Sequence, residues 1–483
     1  MKSYNMIKRK TIKGLLWSFI DLFSRQIIVL ITQVILARLL LPEYFGLIGM
    51  ITIFVSISTS LVQSGLDQAL IREKNPKQLD YSTVFFFNLC ISVFIYSILF
   101  TTAPFIASYY GESELVAILR VLMLVVIINA LSVIQRVILI RSVDFKTQTK
   151  ITIIASLVSG MIAITFAVLG LGVWSLVAQQ LSMQFIMMIL LTLNNRWVPS
   201  LKFNIRLFKY YFKFGYKLLF SGLIGVLQRN IYFVIIGKIY TPTNLGYYTN
   251  ASKLRDISSQ TLSQALQRVT YPILSKFKDD PRMLSTNYRR LIRSTAFIHF
   301  PIIMALSAIS PILIPLVLGS QWEESVPFFQ LLSVVGMLYP IQALNLNILK
   351  VVGRTDVFLA LSIIKTLILF VLLSGAIYFE ISINGLIIVA ILHSFISLMI
   401  HSYVSSKFIK YNLFTQLFHL FKIMIPSFIM FIIMNFVGQA LALMSIYMIV
   451  IQLIIGLVFY LIISFFINRW ELKSTLDLIK EFK

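Results

Sequence analysis

The chain has 483 residues, of which 58% are hydrophobic and 12% charged, yet its formal net charge is +24. A soluble domain carries about 25% charged residues, so this chain has half the usual charge and more apolar surface than one globular core can hide. A bilayer is the solvent that resolves the excess, and a soluble enzyme or soluble binding module is excluded.

Fourteen segments are apolar enough over roughly 20 residues to cross a membrane as helices. In chain order they are 14–37, 44–66, 82–103, 115–135, 151–169, 172–193, 215–236, 245–267, 294–318, 326–349, 357–378, 384–405, 420–441 and 444–467. The first is not a cleaved signal peptide: it contains Asp21 and Arg25, runs too long and lacks a small-residue cleavage site. The segment 245–267 is the most polar, rich in Ser, Gln and charge. The single cysteine, Cys90, rules out a disulfide framework or cysteine-based metal site. The four histidines, His299, His393, His401 and His419, show no metal-binding spacing, so no metal is expected. A GxxxxGK[ST] loop for ATP hydrolysis is missing as well.

Alternate loops differ sharply in basic content. One set (1–13, 67–81, 136–150, 194–217, 268–293, 350–356, 406–422 and 468–483) carries 34 Lys and Arg. The other carries two, Arg38 and Lys238, against six glutamates: Glu43, Glu112, Glu114, Glu323, Glu324 and Glu380. Basic loops stay in the cytoplasm, so both termini are expected there. The positive charge is topological information plus attraction to anionic lipids, and no nucleic-acid partner is needed to explain it. With no loop longer than 26 residues, there is no room for a soluble catalytic domain. Surface-glycan polymerases and glycosyltransferases need such domains, so the chain is expected to be a transporter, not an enzyme.

An internal repeat runs through the two basic residues of the sparse set. Ala37-Arg38-Leu39-Leu40-Leu41-Pro42-Glu43-Tyr44-Phe45-Gly46 and Gly237-Lys238-Ile239-Tyr240-Thr241-Pro242-Thr243-Asn244-Leu245-Gly246 share [AG]-[RK]-[LI]-x-x-P-x-x-[FL]-G at an offset of 200 residues. Each copy joins the first two helices of a six-helix block, so Arg38, Pro42 and Gly46 correspond to Lys238, Pro242 and Gly246. Six spans per block give both halves the same orientation, related by a pseudo-twofold along the membrane normal, with substrate bound between them. The expected organisation is one lobe at 1–213, a second at 214–410, and two extra spans with a cytoplasmic tail at 411–483.

With the end residues Lys217 and Lys422 counted in their loops, eight charged residues fall inside the expected spans: Asp21, Arg25, Arg120, Arg229, Lys253, Arg255, Asp256 and Lys365. Each costs roughly 2.5–3.5 kcal/mol against lipid at the helix centre, so they face protein or water. Helical spacing agrees. Ser18, Asp21, Arg25 and Thr32 make one stripe, Ser56, Ser60, Gln63 and Asp67 a second, and Lys253, Asp256, Gln260, Gln264 and Gln267 a third. Basic residues outnumber acidic ones six to two, which describes a cationic hydrophilic cavity suited to an anionic, sugar-bearing headgroup. Simpler roles compete at several positions. Arg120, near the outer end of its span, can snorkel, and Asp21 and Arg25 can neutralise each other at i, i+4. His393 and His401 read as buried or interfacial polar residues, with a proton relay as the alternative.

Leu36-Ala37-Arg38-Leu39-Leu40-Leu41-Pro42-Glu43-Tyr44-Phe45-Gly46 resembles the signature of the polysaccharide transporter family. Gly65-Leu66-Asp67-Gln68-Ala69-Leu70-Ile71, Tyr81-Ser82-Thr83-Val84-Phe85, Gly172-Val173-Trp174-Ser175-Leu176-Val177-Ala178-Gln179-Gln180 and Leu318-Gly319-Ser320-Gln321-Trp322 are similar to it too. These are the O-antigen, capsule, colanic-acid and teichuronic-acid repeat-unit flippases of the MOP superfamily, which also holds the MATE drug exporters. The resemblance implies an all-α polytopic fold of about 14 spans in two lobes. It also implies alternating-access movement of undecaprenyl-diphosphate-linked oligosaccharide across a bacterial cytoplasmic membrane, beside the polysaccharide polymerase and chain-length machinery. No cofactor is implied, though a proton or sodium gradient is a candidate driving force. Many relatives carry an acid in the seventh span where this chain has Arg229-Asn230-Ile231-Tyr232, so coupling through Tyr232 is not expected. The competing reading is a MATE-like small-molecule antiporter.

Overall fold

The computed structural model describes residues 2–63, 65–277, 279–409, 411–441 and 446–481. Backbone amides in hydrocarbon must be satisfied within the chain itself, and among the described residues every regular element is helical. The first nine helices are α1 (Lys2–Leu39), α2 (Pro42–Gln63), α3 (Leu66–Arg72), α4 (Gln78–Tyr110), α5 (Leu115–Leu122), α6 (Leu124–Arg141), α7 (Phe145–Val168), α8 (Trp174–Asn195) and α9 (Ile205–Ile239). They are followed by α10 (Pro242–Ser275), α11 (Pro281–Leu318), a 3-10 turn at Ser320–Trp322, α12 (Ser325–Val351), α13 (Thr355–Tyr378) and α14 (Ile383–Ser406). The last three are α15 (Leu413–Leu441), α16 (Ile446–Ile467) and α17 (Arg469–Glu481).

Twelve helical segments among the described residues are long and apolar enough to span a membrane. Of the other two expected spans, 245–267 falls on α10, which has the length but is rich in polar and charged side chains, and the first part of 14–37 on α1 lies outside the described side chains. Helix ends also extend past the apolar windows, because capping continues a helix where hydropathy falls. The Asn204 side chain accepts from the amides of Arg206 and Leu207 at 2.9 and 3.2 Å, so α9 starts at Ile205, not 215. Asp280 does the same for Arg282 and Met283, starting α11 at Pro281 instead of 294. Likewise α6 continues to Arg141, so Arg136 is a helical residue and not part of a 136–150 loop. The guanidinium of Arg141 donates to the carbonyls of Leu70 and Ile71 at 2.7 and 3.0 Å, closing the C-terminal end of α3.

The chain divides into two compact units, Met1–Thr249 and Asn250–Lys483, with α10 running across the division. In the first, α1 and α8 pack on α7, α2 packs on α9, and α6 packs on α4 and α8. Leu66, Leu70, Phe85, Ile134 and Tyr211 form a core between α3, α4, α6 and α9. Tyr211 donates to buried Asp80 at 2.7 Å, and the other oxygen of Asp80 accepts the Lys77 amide at 2.7 Å. In the second unit α11, α12, α14 and α15 enclose Tyr288, Phe300, Ile341, Ile348 and Ile423. The two appended helices α15 and α16 both pack on α11, and Tyr460 of α16 donates to the Phe297 carbonyl at 2.7 Å. Arg293 of α11 pairs with the fully buried Glu471 of α17 and lies 3.7 Å from the Trp470 ring centroid.

The repeat appears as matching local structure. Helix α1 stops at Leu39 and α9 at Ile239, and each following helix opens on its proline, Pro42 or Pro242. Proline at the first helical position wastes no amide. The two copies also touch reciprocally within the first unit. A Cβ on Gly46 would lie 2.6 Å from the carbonyl carbon of Pro242, and one on Gly246 would lie 2.6 Å from that of Pro42. Backbone cannot retreat as a flexible side-chain tip can, so glycine is needed at both positions. We expect Gly46→Ala and Gly246→Ala each to destabilise this contact by about 1–3 kcal/mol. Gly375→Ala, with open space around it, should be neutral or stabilising by up to ~1 kcal/mol. Thermal unfolding of the three purified variants checks this; equal behaviour of all three would contradict the close approach.

Candidate substrate site

Helix α1 presents Arg25 as an exposed side chain, with Asp21 half-buried one turn before it. The Ser18 end of that stripe lies outside the described side chains. Two residues from other helices act electrostatically in the same place: Arg136 of α6 feels both Arg25 and Asp67, the latter from the first turn of α3. Hydropathy alone places Arg136 in a loop, and the structure places it within α6. The available signal was the apolar run Val137-Ile138-Leu139-Ile140 that resumes after it.

Arg229 is exposed on α9. A Cβ on Gly225, one turn earlier, would meet its Nη1 at 3.5 Å, an ordinary contact. Three residues further back, Gly222 faces Ser60 of α2. Asn230 is buried and returns its amide to the Val226 carbonyl at 2.8 Å. Tyr232 is buried with its ring stacked on Tyr248, centroids 6.4 Å apart. That position is aromatic packing in this chain.

The second unit holds the remaining expected residues. Arg255 donates to Asp256 at 2.9 and 2.7 Å and to Ser252 at 2.9 Å, and it lies over the Tyr339 ring at 5.8 Å. A Cβ on Gly336 of α12 would meet Ser259 Oγ at 2.6 Å and Arg255 Cγ at 2.9 Å. Arg255 is therefore a packed, neutralised cation. Lys253 and Gln264 are exposed, and Gln260 is half-buried. Lys365 on α13 is half-buried, and its carbonyl accepts from His393 Nε2 at 3.1 Å. Arg120 is held at one helix end, donating to the Phe100 carbonyl at 3.2 Å and lying 4.3 Å from that ring's centroid.

At the repeat turns the chemistry is reversed. Lys238 donates to the Tyr109 carbonyl and sits 4.6 Å from the Tyr109 ring centroid. The Glu112 carboxyl is held above its ordinary range by burial first, then by the charges of Glu114 and Glu43. Three carboxylates thus gather on the face whose loops are poor in lysine and arginine. Among the described residues, no three metal-ligating side chains cluster.

The whole helical arrangement matches solved transporters. The lipid II flippase MurJ in an inward closed conformation superposes with a TM-score of 0.74 at 16% identity, covering 94% of this chain and 99% of that one. An inward-facing multidrug resistance MATE family transporter of the MOP superfamily gives 0.63 at 15% identity, covering 79% and 95%. At such identities the likeness establishes the fold alone. With the twelve membrane-length helices among the described residues, it defines a multi-pass helical membrane fold.

In sequence the chain is 27% identical over 308 residues to the teichuronic acid biosynthesis protein TuaB of Bacillus subtilis (strain 168), spanning 63% of either protein. It is 22% identical over 418 residues to the lipopolysaccharide biosynthesis protein WzxC of Escherichia coli (strain K12), spanning 84% of each. The model of the polysaccharide biosynthesis protein family matches residues 35–327, and the chain belongs to that family.

The grouping of Arg25, Asp67 and Arg136 is testable. We expect Asp67→Asn and Arg136→Gln each to lower stability, and the double variant to lose less than the sum. A coupling of about 0.5–3 kcal/mol is expected from thermal unfolding of the purified proteins. Strict additivity would separate the two charges.

Proposed function

We propose that the chain is a flippase moving undecaprenyl-diphosphate-linked oligosaccharide from the inner to the outer leaflet of a bacterial cytoplasmic membrane. The observation carrying this reading is the exposure of two guanidiniums, Arg25 and Arg229, on the corresponding helices α1 and α9 of the repeat. A guanidinium offers forked donors that match phosphate oxygens, and it stays charged at any physiological pH. Arg136 and Asp67 beside Arg25 add charge and hold orientation. Polar side chains such as Gln260 and Gln264 suit sugar hydroxyls, while the polyprenyl tail remains in lipid. Family membership supports a surface-polysaccharide substrate.

Alternating access of two six-helix lobes, 1–213 and 214–410, is the transport cycle this reading requires, with 411–483 appended. In that cycle the Gly46–Pro242 and Gly246–Pro42 contacts close the outer end. A MATE-like export of organic cations would favour an acidic site. The six-to-two excess of intramembrane cations argues against it.

Topology gives the first test. In a Cys90→Ser background, an impermeant thiol reagent applied to intact cells should label a cysteine at Ser320 and leave cysteines at Leu201 and Asp279 unlabelled. All three positions carry accessible side chains. The reverse pattern would invert the orientation.

The site gives the second. Leaflet accessibility of a defined undecaprenyl-diphosphate oligosaccharide in proteoliposomes should be lost in Arg25→Ala and Arg229→Ala, with membrane abundance unchanged. Lys at either position should restore it partly, because an ammonium lacks the fork. Asp21→Asn should be milder. Wild-type flipping by well-inserted Arg229→Ala would remove the cationic site.

A further inference from the structure

The segment joining α8 to α9 turns its side chains the wrong way for a loop in water. Val198, Leu201 and Phe203 are 71%, 92% and 50% exposed, while the polar groups beside them face inward onto α4. Trp197 Nε1 donates to Gln78 Oε1 at 2.7 Å, and Gln78 Nε2 donates to the Val198 carbonyl at 2.6 Å. The amides of Ser200 and Asn204 donate to Ser82 Oγ and Thr83 Oγ1 at 2.9 and 3.3 Å. The Trp197 ring meets Phe85 edge-on, with centroids 5.7 Å apart. The linker is therefore pinned, and its apolar side chains are left on the outside.

Cations share that outer surface. Residues 196–217 contain six Lys and Arg and no Asp or Glu. At the start of α9, Arg206, Lys209, Lys213 and Lys217 follow at i, i+3, i+7 and i+11, one face of a helix, and all four are exposed. The opposite face packs: Tyr211 is buried, and Phe208 and Phe212 lie 4.6 and 6.4 Å from the Phe87 ring of α4. The neighbouring acids are engaged, since Glu73 accepts from Tyr210 at 3.3 Å and buried Asp80 accepts from Tyr211 at 2.7 Å. Arg72 at the end of α3 adds a fifth exposed cation, 5.0 Å from the Phe214 ring centroid. These partners on α4 run from Gln78 to Phe87, the first turns of that helix, so the segment lies level with one end of it.

Hydrocarbon rejects such cations, and water gains nothing from apolar side chains held outward on a pinned loop. The boundary between headgroups and acyl chains accepts both. Apolar groups enter it by about 5–10 Å, and Lys and Arg meet the phosphates of anionic lipids there. Exposed Tyr210 and Tyr216 belong to a side-chain type enriched at that boundary.

We propose that residues 196–217 form a docking surface for anionic phospholipid headgroups on the lysine- and arginine-rich side of the membrane. Val198, Leu201 and Phe203 enter the leaflet, while Arg206, Lys209, Lys213 and Lys217 bind the phosphates. A zwitterionic headgroup carries its own ammonium, so the stripe prefers a net negative lipid. The contact anchors the start of α9, the helix that carries Arg229, to one leaflet.

The full chain, purified in neutral detergent, is titrated with phosphatidylglycerol, phosphatidylcholine of the same chains, or inorganic phosphate, and thermal unfolding is followed. Phosphatidylglycerol should raise the wild-type Tm by about 3 °C or more beyond phosphatidylcholine, and inorganic phosphate should leave it unchanged. Arg206→Gln/Lys209→Gln/Lys213→Gln/Lys217→Gln should lose at least half of that excess. Removing equal charge from other exposed positions, by Lys276→Gln/Arg282→Gln/Lys407→Gln/Arg469→Gln, should keep it. No lipid preference in wild type, equal losses in both quadruple variants, or full stabilisation by inorganic phosphate would each overturn the proposal. The second measurement leaves the stripe intact. In Cys90→Ser protein in phosphatidylglycerol-containing liposomes, a nitroxide on Leu201→Cys should relax more with oxygen than with an aqueous nickel chelate, and one on Asp279→Cys the reverse. A Leu201 label as open to the chelate as that at Asp279 overturns the proposal even if the quadruple variant fails to fold. Neither measurement involves transport, so the flippase reading stands or falls separately.

Discussion

Hydrocarbon solvates neither amides nor charges, and nearly every feature of this protein answers to that. Closing each backbone hydrogen bond inside its own segment makes every regular element among the described residues helical. Once helices are imposed, the remaining freedom is where the polar side chains go. A cation at the bilayer centre costs roughly 2.5–3.5 kcal/mol unless it finds protein or water. The chain meets that cost in two ways. Arg255 is neutralised by Asp256 and wedged against Gly336. Arg25 and Arg229 stay accessible on their helices. The first is a packing solution, and the second makes sense only if something anionic or aqueous meets the guanidinium.

The reciprocal glycine contact shows how a duplicated sequence becomes a matched pair of backbone surfaces. Each copy supplies a proline carbonyl and a glycine gap, and each gap receives the other copy's carbonyl. Such a contact is self-complementary in the way a twofold interface is. It is made of backbone on both sides and involves no long side chain. Around it the Lys238–Tyr109 contact and the carboxylates of Glu43, Glu112 and Glu114 add polar groups.

Much of this was legible in the sequence, for stated reasons. Apolar windows located the membrane-length helices, because hydropathy is the dominant signal when the solvent is lipid. They fell short at α9 and α11, whose starts are set by the Asn204 and Asp280 caps, and at Arg136, a single charge inside a continuing helix. The motif repeat announced two equivalent turns, but not that Gly46 and Gly246 accept each other's proline carbonyls. That fact needs three dimensions. The candidate cations were found one by one from their spacing. Their partners were not, since Arg136 comes to Arg25 from a distant helix, and His393 and Lys365 stand 28 positions apart.

The two kinds of cation sort by chemistry. The first unit uses arginine, at Arg25, Arg136 and Arg229, and a guanidinium offers forked donors that a lysine ammonium lacks. The second unit uses lysine and histidine on α13 and α14, where His393 donates to the Lys365 carbonyl and His401 is buried on the same helix face as His393. Tyr232, stacked on Tyr248, belongs to the aromatic packing of the first unit.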